Sequence, residues 1–333
     1  MLFDRIQLDN ALSFRSGLLK EWRVKKTDCY RVFHGATEGV PGLSIDRYGT
    51  QLLIQTWRPE LVDEADIVHI TKTVSEWCGC DLVGVWNARH RRGQVEFGNQ
   101  AQLDDHSTGV EAGLKYDVRL RHEGIDPLLF LDFRAARQWV AATASGKRVL
   151  NLFSYTCGIG ISALSGGAES VLNVDFAERS LAVGLQNAKL NQLDLAQFQC
   201  LQQDVFPVIR QFSGLGVKGR AARRPFKKLK PQQFDLVVLD PPRMAKSPFG
   251  KVDLVNDYAS LFKPVVLTVA DGGSALVTNN VASVNESEWH GQLERCAIKA
   301  GRPFNRLSPL RPELDFPSPD QNWPLKMAII QWS

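Results

Sequence analysis

Three strand-like runs in this chain stop at an acid: SVLNVD at Asp175, FQCLQQD at Asp204 and FDLVVLD at Asp240. If these runs are strands of one sheet, the three carboxylates share its rim, where a small polar ligand would lie. Two further runs end on polar residues, RVLNLF in the segment Asn151-Leu152-Phe153-Ser154-Tyr155-Thr156-Cys157-Gly158, and SALVTN in Thr278-Asn279-Asn280. Asp240 is followed by Pro241, Pro242 and Arg243, and the prolines stiffen that loop and leave its carbonyls free of local competition. Each feature also has a purely structural reading. An aspartate at a strand end often caps the next helix, paired asparagines often cap a turn, and a DPP segment serves as a rigid turn. Gly158-Ile159-Gly160 alone is a weak nucleotide signal. A dehydrogenase fingerprint needs GxGxxG, whereas Ile161, Ser162 and Ala163 follow here.

The elements that must position these residues alternate regularly after Asp126. The pattern predicts a helix over 133–144, the strand RVLNLF, a helix near Ile161, SVLNVD, a helix over 178–191, FQCLQQD and a short helix. FDLVVLD, a helix over 254–270, SALVTN, a helix over 286–300 and a closing strand LKMAIIQW complete it. Largely apolar strands alternating with amphipathic helices suit a mostly parallel sheet covered on both faces. Upstream, residues 30 to about 123 read as short strands, YRVFH, LSID, QLLIQTW, DLVGVW, QVEF and KYDVRL, with a helix between 60 and 77 buried through Leu61, Ala65, Val68 and Val74. Residues 1–28 read as one basic amphipathic helix, with Leu8, Leu12, Leu19 and Trp22 apolar and Arg15, Lys20, Arg23, Lys25 and Lys26 polar. The expected organisation is therefore a basic helix over 1–28, a small α+β domain over 29–125 and an α/β domain over 126–333.

Composition sets the outer limits. At 333 residues, 44% hydrophobic and 23% charged, the chain has the makeup of a globular protein of about two domains. No run of about 18 apolar residues occurs, and the N-terminus lacks the apolar core of a secretory signal, so the expected location is the cytoplasm. The six cysteines lack CxxC spacing, which points to neither a disulfide framework nor a zinc site, and no metal is expected. Net charge is +4, yet Lys218, Arg220, Arg223, Arg224, Lys227, Lys228 and Lys230 contribute +7 from an insert, 213–233, that contains no acid. Such a concentration favours a polyanionic partner, although a solvated linker has the same composition.

FLDFRAAR before the first strand of the α/β domain, NLFSYTCG after it, then VD, QQD, LDPP and VTNN in that order resemble the S-adenosylmethionine-dependent methyltransferases that modify bacterial large-subunit ribosomal RNA. HGATEGVPGLSIDRYG is similar to the segment that opens the central α+β domain in that family. The resemblance covers roughly residues 30–333. It implies a Rossmann-like class I methyltransferase domain with a mostly parallel seven-stranded sheet behind a small α+β domain. It also implies S-adenosylmethionine as cofactor and RNA as partner. Residue by residue, it implies that Asn151, Phe153, Ser154, Tyr155 and Gly158 wrap the methionine part of the cofactor. Asp175 is implied to hold both ribose hydroxyls, Asp204 to meet the adenine amino group, and Asp240 to lie between cofactor and acceptor. Asp132 and Arg134 are implied to close over the cofactor, with Arg134 available to a carboxylate. Cys157 stands where the family pattern usually has glycine.

For the acceptor, Asp240, Pro241, Pro242, Asn279 and Asn280 are the expected catalytic set. Methylation of cytosine at C5 commonly uses a cysteine thiolate that adds at C6. The loops 240–250 and 278–284 contain no cysteine, and VTNN stands where the cytosine branch of the family carries one. The asparagine pair instead resembles the guanine-N7 branch. Guanine N7 is already a nucleophile at neutral pH and needs positioning only. The alternatives are a cytosine-C5 enzyme and a non-catalytic RNA-binding or ribosome-assembly protein with this fold. Family members often carry a separate RNA-binding module ahead of the α+β domain. In its place the expected phosphate contacts are Arg89, Arg91, Arg92, Arg243 and Lys246, with the N-terminal helix and the insert as further sources of grip, the insert being either a mobile arm leaving the amino edge of the sheet or a linker without function. Phe130, Tyr155 and Phe249 are left open between stacking on a base and packing.

Overall fold

The computed structural model describes residues 3–89, 95–97, 107–120 and 126–333. Two compact units emerge. The first comprises Met1–Arg134 together with Pro312–Pro319, and the second Ala135–Arg311 together with Asp320–Ser333.

The first unit begins with α1 (Arg5–Val24), started by a capping box in which Asp4 accepts from backbone amides and Gln7 reaches back to the Asp4 N–H. Leu8, Leu12, Leu19 and Trp22 form the buried face, as the spacing predicts. Arg15 departs from its expected polar role. It is buried, and its guanidinium meets Glu38 at 2.8 Å. The Glu38 carboxylate also accepts from the amides of His34 and Gly35 and from the Thr37 hydroxyl. The HGATEG segment is thus folded around one partly buried anion that a helix side chain neutralises.

A five-stranded sheet follows, in the order β1 (Cys29–Phe33), β2 (Leu43–Tyr48), β3 (Gln51–Thr56), β4 (Val83–Ala88), β5 (Val95–Phe97). Only β3 and β4 are parallel, because α2 (Glu64–Cys78) makes the crossover between them. The buried face of α2 is Ile67, Ile70, Val74 and Cys78, whereas Ala65 and Val68 face solvent. The expected helix is present but rotated: Ile67 and Ile70, rather than Ala65 and Val68, continue the 3–4 spacing to Val74. A hairpin of β6 (Ser107–Glu111) and β7 (Leu114–Val118) completes the described part of this unit.

In the second unit α3 (Arg134–Thr143) leads into β8 (Arg148–Leu152), α4 (Gly158–Ser165), β9 (Ser170–Asp175), α5 (Glu178–Leu190), β10 (Phe198–Gln202) and α6 (Val205–Phe212). Next come β11 (Phe234–Leu239), a two-stranded hairpin β12 (Met244–Lys246) and β13 (Lys251–Asp253), α7 (Ala259–Thr268), β14 (Val269–Asn279), α8 (Glu286–Lys299), β15 (Arg306–Leu310) and β16 (Lys326–Gln331). The seven-stranded sheet has the order β10-β9-β8-β11-β14-β16-β15, parallel except where β16 runs against β14 and β15. This is the expected α/β Rossmann-like architecture.

Two elements escape the sequence pattern. β15 carries Pro309 and lacks a buried run, which suits only an edge strand. The helix expected over 254–270 starts at Ala259, because 251–253 pair as β13 and Asp253 then accepts from the amides of Val255 and Asn256 in a tight turn. Among the described residues, no helix is long and apolar enough to cross a membrane.

Candidate active site

The strand order reverses between β8 and β11, so the loops after these two strands diverge and leave a crevice at their carboxyl ends. Register aligns the polar strand ends there. Leu152 pairs with Val174 and Leu239, Leu239 with Val277, and Asp175 with Gln202. The Asp240 amide lies 3.5 Å from the Leu152 carbonyl, joining the two diverging loops at their roots.

The loop after β8 has an unusual backbone. Phe153, Tyr155 and Cys157 all have positive φ, at 56°, 49° and 61°. A left-handed conformation costs a non-glycine residue roughly 1–2 kcal/mol, so three alternate ones need support from outside the loop. Asp175 supplies part of it. One carboxylate oxygen accepts from the Tyr155 amide and the other from the Ala177 amide, both at 2.9 Å. The Ser154 amide bonds to the Val174 carbonyl as well. Burial raises the Asp175 pKa above the ordinary aspartate value, against the lowering effect of these amides.

Cys157, in the position where glycine was expected, fits because its thiol turns inward. It is fully buried, bonded weakly to Ser154 and against Cys200, and lies where a side chain on Gly184 would collide with its sulfur. Gly184 therefore makes the room that the loop does not. Below the loop, Asn151 donates across the sheet to Asn173 at 2.9 Å, and Asn173 donates to the Gln199 carbonyl at 3.3 Å. The Asn151 side chain is thus spent inside the sheet rather than facing the crevice. Gly160 sits directly above this pair, and a Cβ there would stand 2.3 Å from the Asn173 side-chain oxygen. Gly160→Ala is expected to lower stability by about 1–3 kcal/mol, read as a fall in Tm, because α4 must lift or the amide pair must break.

Asp204 caps α6 through one carboxylate oxygen, which accepts from the Phe206 amide at 2.9 Å. Asp240 accepts from the Thr278 hydroxyl at 2.5 Å, and the Thr278 carbonyl is in turn held by Tyr258 at 2.8 Å. Asn280 donates to the Pro241 carbonyl at 3.5 Å, and its own oxygen is buried without a hydrogen-bond partner. Phe176, directly after Asp175, exposes most of its ring at the rim, and sequence reasoning missed it. An aromatic residue following the acid of a strand end was the available signal.

A sequence model of the S-adenosylmethionine-dependent methyltransferase family matches residues 73–297. The chain belongs to this family. It is 30% identical over 316 residues to ribosomal RNA large subunit methyltransferase I of Aeromonas hydrophila, spanning 93% of this chain and 75% of that protein. Similarity to the Escherichia coli protein of the same name is 27% over 304 residues, spanning 90% and 73%. Among solved structures, that of SMU.776 complexed with SAH matches with a TM-score of 0.80 at 24% identity, over 99% of this chain and 82% of that one. The SAM-dependent methyltransferase from Agrobacterium tumefaciens matches with a TM-score of 0.63 at 16% identity, over 92% and 90%. Both structural likenesses concern the fold.

In this methyltransferase the crevice fits S-adenosylmethionine: a strained loop with close backbone approach, a carboxylate already oriented by two amides, an exposed phenyl ring beside it and a second acid one strand further on. Two further expectations are corrected by the geometry. Arg134 is only 1% exposed and its guanidinium is committed within the first unit, to Asp315 at 2.9 and 3.1 Å, to the Cys29 carbonyl at 2.9 Å and to Glu111 at 3.4 Å. It is a structural cation, not a free donor for a ligand carboxylate. Asp132 lies in a 3-10 turn over Leu131–Phe133, and its charge acts on Arg31. Asn279 is fully buried. Its amide bonds to the Leu254 carbonyl and its oxygen accepts from the Val281 amide, so it fastens the turn after β14 and is not available to a ligand.

Of the expected RNA contacts, Arg243 and Lys246 are exposed around the β12–β13 hairpin. Arg89 follows β4, with its guanidinium 5.6 Å from the centroid of the exposed Trp57 ring. Arg91 and Arg92 lie outside the described residues. Phe249 packs against the core and meets Phe226 edge-on, whereas Phe130 is half exposed. The insert is also corrected: it leaves at the amino end of β11 as expected, but it is docked rather than standing off. Among the described residues no group of three His, Cys, Asp or Glu is arranged to hold a metal ion.

Proposed function

We propose that this methyltransferase acts on large-subunit ribosomal RNA and that its acceptor atom is guanine N7. The observation that carries the reading is the acceptor loop pair. Residues 240–250 and 278–284 contain no thiol, while Asn280 holds a buried, unpartnered carbonyl oxygen beside Pro241. An oxygen in that state is an acceptor for an N–H of a base edge, and the guanine Watson–Crick edge offers two such donors. The thiol beside the cofactor loop does not restore a cytosine-C5 mechanism. Burial holds Cys157 well above the ordinary thiol pKa, so it stays protonated and inert.

S-adenosylmethionine supplies an electrophilic methyl group on a sulfonium sulfur. The chain's part is to orient and enclose. Asp175, Asp204 and the Phe153–Gly158 loop hold the donor, and Asp240, locked by Thr278, fixes the floor between donor and acceptor. Pro241 and Pro242 keep the acceptor loop rigid, and Asn280 sets the edge of the base. No general base is needed, since N7 presents a lone pair in line. The ribosomal substrate is supported by the names of the relatives, which are similar over most of their length.

Transfer of labelled methyl to protein-free rRNA, followed by digestion to nucleosides, is expected to place the label in 7-methylguanosine. Label in 5-methylcytidine would keep the RNA substrate and overturn the acceptor. Asn280→Ala is expected to lower kcat/KM for RNA by about 10- to 100-fold while leaving the Kd for S-adenosylmethionine within twofold, the loss of one or two desolvated hydrogen bonds. An unchanged kcat/KM would remove Asn280 from the acceptor site.

A further inference from the structure

The basic insert begins and ends at the foot of the sheet. The Arg210 side chain bonds to the Gly216 carbonyl, and the Gln232 amide bonds to the Phe212 carbonyl. Between these anchors the chain turns back along α6 toward the carboxyl rim. Gln211 on α6 takes both sides of its backbone, donating to the Lys227 carbonyl at 3.1 Å and accepting from the Leu229 amide at 3.0 Å. Gln203, next to the rim acid Asp204, accepts from the Lys227 amide at 3.3 Å. Phe226 then places its ring edge-on to Phe249, with centroids 6.0 Å apart. Phe249 belongs to the hairpin that follows Asp240-Pro241-Pro242-Arg243, and Gly250 beside it packs so closely on Phe206 of α6 that a Cβ would stand 2.9 Å from the ring.

The consequence is a fixed display of charge. Arg223, Arg224, Lys227, Lys228 and Lys230 are all exposed, the backbone of the last three is held at Lys227 and Leu229 by Gln203 and Gln211, and the Lys228 ammonium sits 4.1 Å from the Phe226 ring centroid. Through the Phe226–Phe249 contact this cation row is continuous with Arg243 and Lys246 on the acceptor hairpin. A solvated linker has no use for paired glutamines that hold its backbone, nor for an aromatic clamp onto the loop that carries the acceptor-site acid.

We infer that the segment 213–233 is a built phosphate-binding surface, docked through Gln203, Gln211 and Phe226, that grips the RNA backbone next to the nucleotide being methylated. The inference rests on the RNA substrate proposed above and adds the place where that RNA is held. Cations fixed in this way release counterions from the bound strand without first ordering a flexible arm, so their effect is read in affinity and in its salt dependence.

The test uses the full chain and protein-free rRNA. The variant Arg223→Gln/Arg224→Gln/Lys227→Gln/Lys228→Gln is expected to raise the RNA Kd about tenfold or more and to make the log–log salt slope shallower by about 3, at about 0.7 per lost single-strand phosphate contact. Its Kd for S-adenosylmethionine and its Tm are expected to match the wild type, which reports an intact fold. Phe226→Ala keeps every charge, and a several-fold loss of RNA affinity is expected because the row is no longer aligned with the hairpin. Wild-type binding to RNA with both variants equal to it in Kd and slope would overturn the inference and leave the RNA substrate standing. A Phe226→Ala protein equal to wild type, beside a weakened quadruple variant, would overturn the docked display. Failure of the wild type to bind or methylate any RNA would instead strike the substrate reading itself.

Discussion

Asp175→Ala is expected to weaken S-adenosylmethionine binding by at least about 100-fold, with the Tm of the apoprotein lowered far less than a core substitution would lower it. Two effects combine. On the proposed reading the carboxylate accepts from two ribose hydroxyls, and hydrogen bonds to a charged group contribute about 1.5–3 kcal/mol each. It also holds the Tyr155 and Ala177 amides, and without it the left-handed residues Phe153, Tyr155 and Cys157 lose their outside support. Asp175→Asn, which keeps one oxygen, is expected to fall between the two. Calorimetric titration with S-adenosylmethionine measures both. A Kd for Asp175→Ala within threefold of wild type would exclude Asp175 from the cofactor site.

The same carboxylate sets a pH dependence. Burial places its folded pKa above the 3.8 of a free aspartate. Between 3.8 and the raised value the folded apoprotein holds a proton that the unfolded chain has released, so this group favours folding on the acid side of that window and costs stability above it. Cofactor affinity runs in the opposite sense. The ionised carboxylate is the better acceptor, so affinity is full above the raised pKa and falls as pH drops through it.

The second large effect lies in the first unit. Arg134→Met is expected to destabilise it by about 3–5 kcal/mol, seen as a Tm lower by roughly 10 °C or more. Asp315 and Glu111, both almost fully buried, would be left facing each other's field without their shared cation. Asp315 also accepts from the Arg31 amide at 3.0 Å, and Phe316 lies 4.4 Å from the Arg31 guanidinium, so the segment Pro312–Pro319 is fastened to this unit by the same charges. A double variant, Arg134→Met/Asp315→Asn, is expected to recover part of the loss, because one of the stranded charges is gone. A Tm for Arg134→Met within about 2 °C of wild type would mean that water reaches the carboxylates.

Much of this was legible in the chain. The apolar runs of the α/β unit are long and interrupted by helix-period segments, and a strand buried on both faces has no alternative partner, so their order and type follow from pattern alone. Because each run stops at a polar residue, the location of Asp175, Asp204 and Asp240 at one rim follows with them. Elements with weak patterns did not follow. β15 is an edge strand interrupted by Pro309, and the short β12–β13 hairpin has no apolar alternation to announce it.

Side-chain roles divide along a different line. The chain determined by itself that carboxylates and asparagines stand at strand ends, that the acceptor loops hold no thiol and that one acid-free segment carries +7, because residue type, periodicity and local charge are properties of neighbours in sequence. Only the tertiary structure decided which of these groups remain available. Arg134 is claimed by Asp315, 181 residues away, and Asn279 by the Leu254 carbonyl, 25 residues away. The basic insert is claimed by Gln211 on α6 and by Gln203 just before it, which no local pattern connects to it. A buried cation or amide must find its partner wherever the fold brings one, and that choice is made by long-range packing and desolvation, which leave no trace in local spacing.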